Sequence, residues 1–113
     1  MSDDALDAVR RIAEAGGDAD DVLRACVTRL TDEPDVSWAG VALAEGGALQ
    51  LGPWSGATDP GRRTCAPILF QGEAVGELRV DGAIDRAILD RVAALIAPFA
   101  LIGWDTGGEA WDP

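Results

Sequence analysis

Four short apolar segments, joined in pairs by tight turns, constrain the fold of this sequence more than any other feature. Val36–Glu45 and Ala48–Trp54 flank the turn Gly46-Gly47, which predicts a β-hairpin. Thr64–Phe70 and Ala74–Val80 flank the turn "QGE" and predict a second hairpin. The sequence therefore predicts an antiparallel sheet of about four to five strands.

Three segments with helical periodicity surround these strands. The first lies within residues 1–17, the second begins near Asp18 and stops before Pro34, and the third follows Gly82 and runs to about residue 102. Each helix has one apolar face that needs a surface to cover it. A chain of 113 residues has the length of one domain. We therefore expect residues 1–113 to form a single α+β domain with the N-terminal and C-terminal helices on one face of the sheet.

The alternation of side chains along the strands assigns residues to the two faces of the sheet. The aliphatic residues, which suit the helix-covered face, are Val41, Leu43, Leu49, Leu51, Leu78 and Val80. The indoles and charged groups assigned to the opposite face are Trp38, Trp54, Glu77, Arg79 and Asp81. Aromatic rings among small and charged residues are more typical of a ligand-binding face than of a plain solvated surface.

The missing residue types exclude several kinds of chemistry. The sequence contains no histidine, lysine or tyrosine. Without histidine it lacks the commonest general base and metal ligand, and without lysine it excludes Schiff-base and P-loop mechanisms. Cys26 and Cys65 form no CxxC pair and are expected to be buried thiols in a reducing compartment. We expect neither a metal nor a cofactor.

The charge of the chain restricts its partners. The net charge is −11, so we expect repulsion from nucleic acids and from anionic membrane surfaces. The N-terminal stretch "MSDDALDAV" begins acidic, unlike a signal peptide, and no apolar run reaches the roughly 18 residues needed to span a bilayer. These features predict a cytoplasmic protein.

Three motifs, taken in order, resemble those of a GAF domain. They are Trp38 at the start of the first strand, Leu-Gly-Pro-aromatic-x-Gly at Leu51–Gly56, and Pro-x-x-x-x-Gly-x-x-x-Gly-x-Leu-x-x-Asp at Pro67–Asp81. The sequence is most similar to the small stand-alone GAF proteins that include free methionine-(R)-sulfoxide reductase. The resemblance covers roughly residues 20 to 102. It implies an antiparallel sheet with terminal helices on one face and a small-molecule pocket on the other.

The resemblance also shows what this chain lacks. The reductases carry their catalytic and resolving cysteines in a long segment that folds over the pocket, whereas only Ala57–Ala66 stands here, and Cys65 matches neither cysteine. Of the acids that hold the substrate's amino group only Asp81 has a match, with Arg79 and Arg63 in place of others. The resemblance therefore implies a non-enzymatic signalling module for small-molecule sensing or dimerisation, with an unknown ligand. The alternative is a small reductase acting on free methionine sulfoxide.

The residues of the candidate ligand site are Trp38, Trp54, Arg63, Arg79 and Asp81. Each has a structural alternative. Arg79 and Asp81 could bind a zwitterion or an anion, or Arg79 could form a surface ion pair with Glu77. The two indoles could stack on a ligand ring or simply pack. Arg63 could capture a carboxylate or phosphate, or it could be a solvated loop residue.

Two further expectations concern the ends of the chain. We expect a homodimer that pairs through helices, because one face of a four-stranded sheet is too small to bury three helices. The C-terminal segment, residues 103–113, combines acids with Trp104 and Trp111. This composition predicts a cap over the sheet face that bears Trp38 and Trp54, in the same chain or in a partner. The alternative is that these indoles pack against the last helix.

Overall fold

The computed structural model describes the backbone of residues 3–45 and 48–109 and the side chains of residues 4–44 and 48–100. Within these residues there are three α-helices and four strands, with a short 3-10 turn before the third strand. In chain order they are α1 (Asp3–Ala15), α2 (Ala19–Thr31), β1 (Val36–Glu45), β2 (Ala48–Gly56), the turn Pro60–Arg62, β3 (Arg63–Phe70), β4 (Glu73–Gly82) and α3 (Arg86–Glu109). This confirms the predicted α+β class and the predicted bounds of β1.

The strands form one antiparallel sheet in the order β2-β1-β4-β3. Each predicted hairpin is present, and the two hairpins meet where β1 pairs with β4. β2 and β3 are therefore the edge strands. The predicted antiparallel sheet is confirmed, with four strands in the described part of the chain.

The helices cover one face of this sheet in two layers. α2 packs on β1 and β2, α3 packs mainly on β3 and β4, and α1 packs on α2 and α3. The largest side chains buried between these layers include Leu23, Leu30, Val41, Ile68, Leu78, Leu89 and Ile96. Leu6 and Val9 of α1 are also buried. α1 therefore covers its apolar residues with the other two helices and not with the sheet. The homodimer itself stays a prediction.

Leu49 and Leu51 lie on the face opposite to the predicted one. Leu51 pairs with Ala42 and Trp54 pairs with Gly40, so the two residues between Leu51 and Trp54 stand opposite a single residue of β1. This β-bulge reverses the alternation of β2. As a result the two leucines share a face with Trp54, and all three side chains are about half exposed, at 44%, 52% and 54%.

Helix α3 is longer than predicted. It continues beyond residue 102 to Glu109, so the backbone of the glycine-containing segment 103–109 is helical. Pro98 lies inside this helix. The side chain of Trp104 and all of Trp111 lie outside the described residues, so the predicted cap stays a prediction. Of the helices described here, none combines the length and the apolar character that a membrane crossing requires.

Candidate functional site

The register of the sheet places three of the five predicted site residues side by side. Asp81 on β4 pairs with Trp38 on β1 and with Arg63 on β3. Paired residues of neighbouring strands project to the same face. The three side chains therefore form one row on the face that the helices leave open, and we call this row the Arg63 cluster.

Arg63 and Asp81 form a two-pronged ion pair. Arg63 Nε donates to Asp81 Oδ1 at 2.7 Å, and Nη2 donates to Oδ2 at 3.0 Å. The backbone N–H of Asp59 also donates to Oδ2, at 2.7 Å. The Asp81 side chain is fully buried, and that of Arg63 is 27% exposed. A buried carboxylate is stable only when it is paired and hydrogen-bonded, and both oxygens of Asp81 meet this condition.

These contacts keep the pair ionised. The hydrogen bonds from Arg63 lower the pKa of Asp81, although burial alone would raise it, and the Asp59 N–H lowers it further. The same hydrogen bonds raise the pKa of Arg63. Both groups are therefore charged at neutral pH and engaged with each other.

Trp38 lies flat against the sheet beneath Arg63. Its side chain is 3% exposed. A Cβ added to Gly40 would lie 2.5 Å from Cη2 of the indole, so the ring occupies the space above that glycine. On its other side the guanidinium carbon of Arg63 lies 4.7 Å from the ring centroid, within the range of a cation–π interaction. The indole is therefore enclosed by Gly40 and Arg63.

The connection between β2 and β3 positions two of the groups that donate to Asp81, the Asp59 N–H and the Arg63 side chain. Gly56 has a φ of 95°, and a Cβ there would collide with the Ser37 carbonyl oxygen, so the tight crossing over β1 requires glycine. The next residue, Ala57, donates its N–H to the same carbonyl at 2.9 Å. The chain then presents the Asp59 N–H to Asp81 and enters β3 at Arg63.

Arg79 occupies a second row and has a different partner. Its Nε donates to Glu77 Oε1 at 2.7 Å, and both side chains are about a quarter exposed. This is the ion pair that the sequence offered as the alternative to a ligand site. Asp81, which was expected to act beside Arg79, pairs with Arg63 instead.

The thiols of both cysteines have raised pKa values. Cys65 pairs with Arg79 across the sheet. Burial and the nearby Glu77 carboxylate raise the pKa of its thiol, and the opposing effect of Arg79 and Arg63 is smaller. Burial raises the pKa of the Cys26 thiol to about 11. Both cysteines are therefore protonated at neutral pH, whereas thiol chemistry requires the thiolate.

Trp54 does not belong to the row of the Arg63 cluster: it pairs with Gly40, the glycine covered by the Trp38 ring. Trp54 lies on edge strand β2 and shares its face with Leu49 and Leu51. We call these three side chains the β2 face. Sequence reasoning missed the two leucines because it continued the alternation through Gly52 and Pro53, where the bulge lies.

One group of carboxylates in the described residues could approach a cation. Asp18, Asp20 and Asp21 are exposed, and their oxygens lie within 4.8 Å of one another at the start of α2. A helix N-terminus favours negative charge by itself. Asp20 also pairs with Arg24 at 2.6 Å. The favourable position at a helix N-terminus and the ion pair with Arg24 are sufficient to explain why these acids lie close together.

An antiparallel sheet with helices on one face and an open opposite face forms a GAF-like α+β fold. Solved structures support this assignment. A putative GAF sensor protein from Burkholderia vietnamiensis has a TM-score of 0.73 at 14% identity, over 89% of this chain and 94% of that one. Free methionine-R-sulfoxide reductase from Neisseria meningitidis, in complex with its substrate, has a TM-score of 0.70 at 15% identity, over 97% and 95%.

A third similar structure is type II free methionine-R-sulfoxide reductase from Thermoplasma acidophilum. It has a TM-score of 0.69 at 19% identity, over 82% of this chain and 97% of that one. No protein-family model matches the sequence, and no curated protein matches it at a significant level. The chain therefore has the GAF fold, and at these identities the likeness concerns the fold alone.

Proposed function

We propose that this chain is a non-enzymatic GAF-type module that works by association with a partner protein. One observation carries the proposal. The guanidinium of Arg63 binds both carboxylate oxygens of Asp81 and covers the indole of Trp38. The groups best suited to bind a small cation or zwitterion are thus occupied by a side chain of the protein itself.

Small-molecule sensing at this site would require a ligand to displace Arg63. The ligand would have to replace two charge-assisted hydrogen bonds and a cation–π contact, and it would pay the entropy of binding besides. Arg63 avoids that entropy because β3 already holds it in place. This comparison favours association over small-molecule sensing.

A reductase is the less favoured alternative. Two of the three similar structures described above are free methionine-R-sulfoxide reductases, so the fold is compatible with that activity. In this chain the raised pKa values of Cys26 and Cys65 disfavour the thiolate that such chemistry needs. We therefore propose no catalytic role for either cysteine. Two free thiols also suit a reducing compartment, which supports the proposed cytoplasmic location.

A thermal-shift titration with methylguanidinium tests whether the site is occupied. Arg63→Ala should unfold at a lower temperature than wild type and should be restabilised by methylguanidinium, because the cation can enter between Asp81 and Trp38. Arg79→Ala is the matched control, since Arg79 is equally exposed but pairs with Glu77. It should show no such rescue. Stabilisation of the wild type at the same cation concentrations would show an open site and would favour sensing.

An assay of free methionine sulfoxide reduction with a thiol reductant tests the alternative. We expect no turnover. Turnover that disappears in Cys65→Ser would overturn the proposal and favour a reductase.

A further inference from the structure

We propose that the β2 face, formed by Leu49, Leu51 and Trp54, is the contact between two copies of this chain. The inference rests on the proposed association function and names its surface and its partner. It differs from the expected dimer through helices.

The β2 face combines exposure with continuity. Leu49, Leu51 and Trp54 pair in turn with Ala44, Ala42 and Gly40 of β1, so they form one line on one side of an edge strand. Each is about half exposed. Contiguous apolar side chains of this size on a surface typically mark an interaction site.

The distribution of charge indicates what covers this face. Charged residues make up 26% of the sequence and the net charge is −11, yet residues 46–58 contain no charged residue at all. Two copies of so acidic a chain repel each other, so they can meet closely only where neither presents an acid. A cationic partner would instead gain from contact with the acidic surfaces. The neutral β2 face therefore fits a second copy.

Among the described helix surfaces, the outer side of α1 offers less to a second copy. The apolar residues Leu6 and Val9 of α1 are already buried against α2 and α3. On the outer side of α1, Asp7, Arg10 and Arg11 are exposed. Acidic side chains such as that of Asp7 are depleted from protein interfaces, and the net charge of the chain makes them repel a second copy.

The bulge in β2 favours contact through side chains over pairing of backbone edges. Gly52 and Pro53 interrupt the ladder, and Pro53 has no N–H to donate. Bulges and prolines on an edge strand hinder the addition of another strand. Three half-exposed side chains also provide less than the roughly 800 Å² per partner of a standard interface, so the dimer should be reversible.

Sedimentation equilibrium of the full chain at tens of micromolar, a range suited to a reversible dimer, tests the proposal. The wild type should show a monomer–dimer equilibrium that tightens as salt is added, because salt screens the repulsion between the copies. Leu51→Glu should weaken dimerisation at least tenfold. Leu69→Glu is the control, since Leu69 is 50% exposed on the opposite edge strand and the substitution changes the net charge equally. It should leave the dimer intact.

Circular dichroism and melting curves would show that each variant folds, and Trp54→Ser gives a second test if Leu51→Glu does not. A wild-type monomer throughout this range would overturn self-association. A dimer that persists in Leu51→Glu and Trp54→Ser, or one that both glutamate variants abolish, would overturn the β2 face while leaving association possible elsewhere. The methylguanidinium titration is independent of these outcomes, so the two proposals can fail separately.

Discussion

The Arg63 cluster and the β2 face lie on the same side of one sheet but differ in chemistry and in exposure. The Arg63 cluster contains charged and aromatic groups of the kind that bind ligands, yet Asp81 is fully buried and Trp38 is 3% exposed. The β2 face has no charged group, and its three large side chains are about half exposed. The charged and aromatic residues of the Arg63 cluster therefore bind one another, whereas the apolar side chains of the β2 face remain exposed.

This contrast follows from the different costs of burying a carboxylate and of exposing a leucine. An ionised carboxylate in a protein interior must find partners within the chain, because burial without them costs several kcal/mol. An exposed leucine has no such requirement and remains available to another molecule. Changes in the Arg63 cluster should therefore act on folding, and changes in the β2 face should act on association.

The largest effect on folding should come from Asp81→Ala. The change removes the partner of Arg63, leaves the Asp59 N–H without its acceptor and opens a cavity, so we expect a loss of about 3 kcal/mol in unfolding free energy. Urea denaturation measures it. Asp59→Ala is the control, because Asp59 contacts Asp81 through its backbone, and it should cost less than about 0.5 kcal/mol. Equal losses in the two variants would contradict the role of the ion pair.

Gly40→Ala should lower the unfolding free energy by a smaller amount than Asp81→Ala. The added methyl group would lie 2.5 Å from the Trp38 ring, which is held from above by Arg63, so ring or strand must shift at a cost of about 2 kcal/mol. Gly61→Ala is the matched control, since the nearest atom to its new Cβ would be Asp59 Oδ1 at 3.9 Å. Urea denaturation that gives the same stability for both variants would mean that the ring moves freely.

The pH dependence of stability provides a third comparison. The pKa of Asp81 is lower in the folded chain than in the unfolded chain, where it is about 4. Its stabilising effect is therefore present at neutral pH and is lost as the pH falls below about 4 and through the folded value. Asp81→Asn should cost about 1–2 kcal/mol at pH 7 and progressively less toward pH 2. Urea denaturation across this range measures the difference, and a constant cost would refute the linkage.

Leu51→Ala should have the smallest effect on folding. Because the side chain is half exposed, we expect a change within about 0.5 kcal/mol in a monomeric sample, together with weaker dimerisation. Denaturation at low protein concentration and sedimentation at high concentration separate these two effects. A large loss of stability with unchanged dimerisation would contradict the assignment of the β2 face to association.

The sequence by itself predicted the α+β class and the three helices and four strands. Alternation over a few residues predicted both hairpins, the bounds of β1 and the antiparallel sheet, and helical periodicity predicted the three helices. These features depend on side chains two to four positions apart, which local backbone geometry relates directly. The lack of histidine and lysine in the sequence likewise excluded Schiff-base and P-loop mechanisms and the commonest general base.

Only the tertiary structure decided how those elements present their side chains. Arg63 and Asp81 are 18 positions apart, and the register between β3 and β4 brings them together. The bulge opposite β1 moves Leu49 and Leu51 to the face of Trp54, because one extra residue reverses every side chain beyond it. Gly52 and Pro53 are typical of a bulge or an edge strand, but they do not say where the alternation reverses, and the register depends on pairing between residues far apart in the chain.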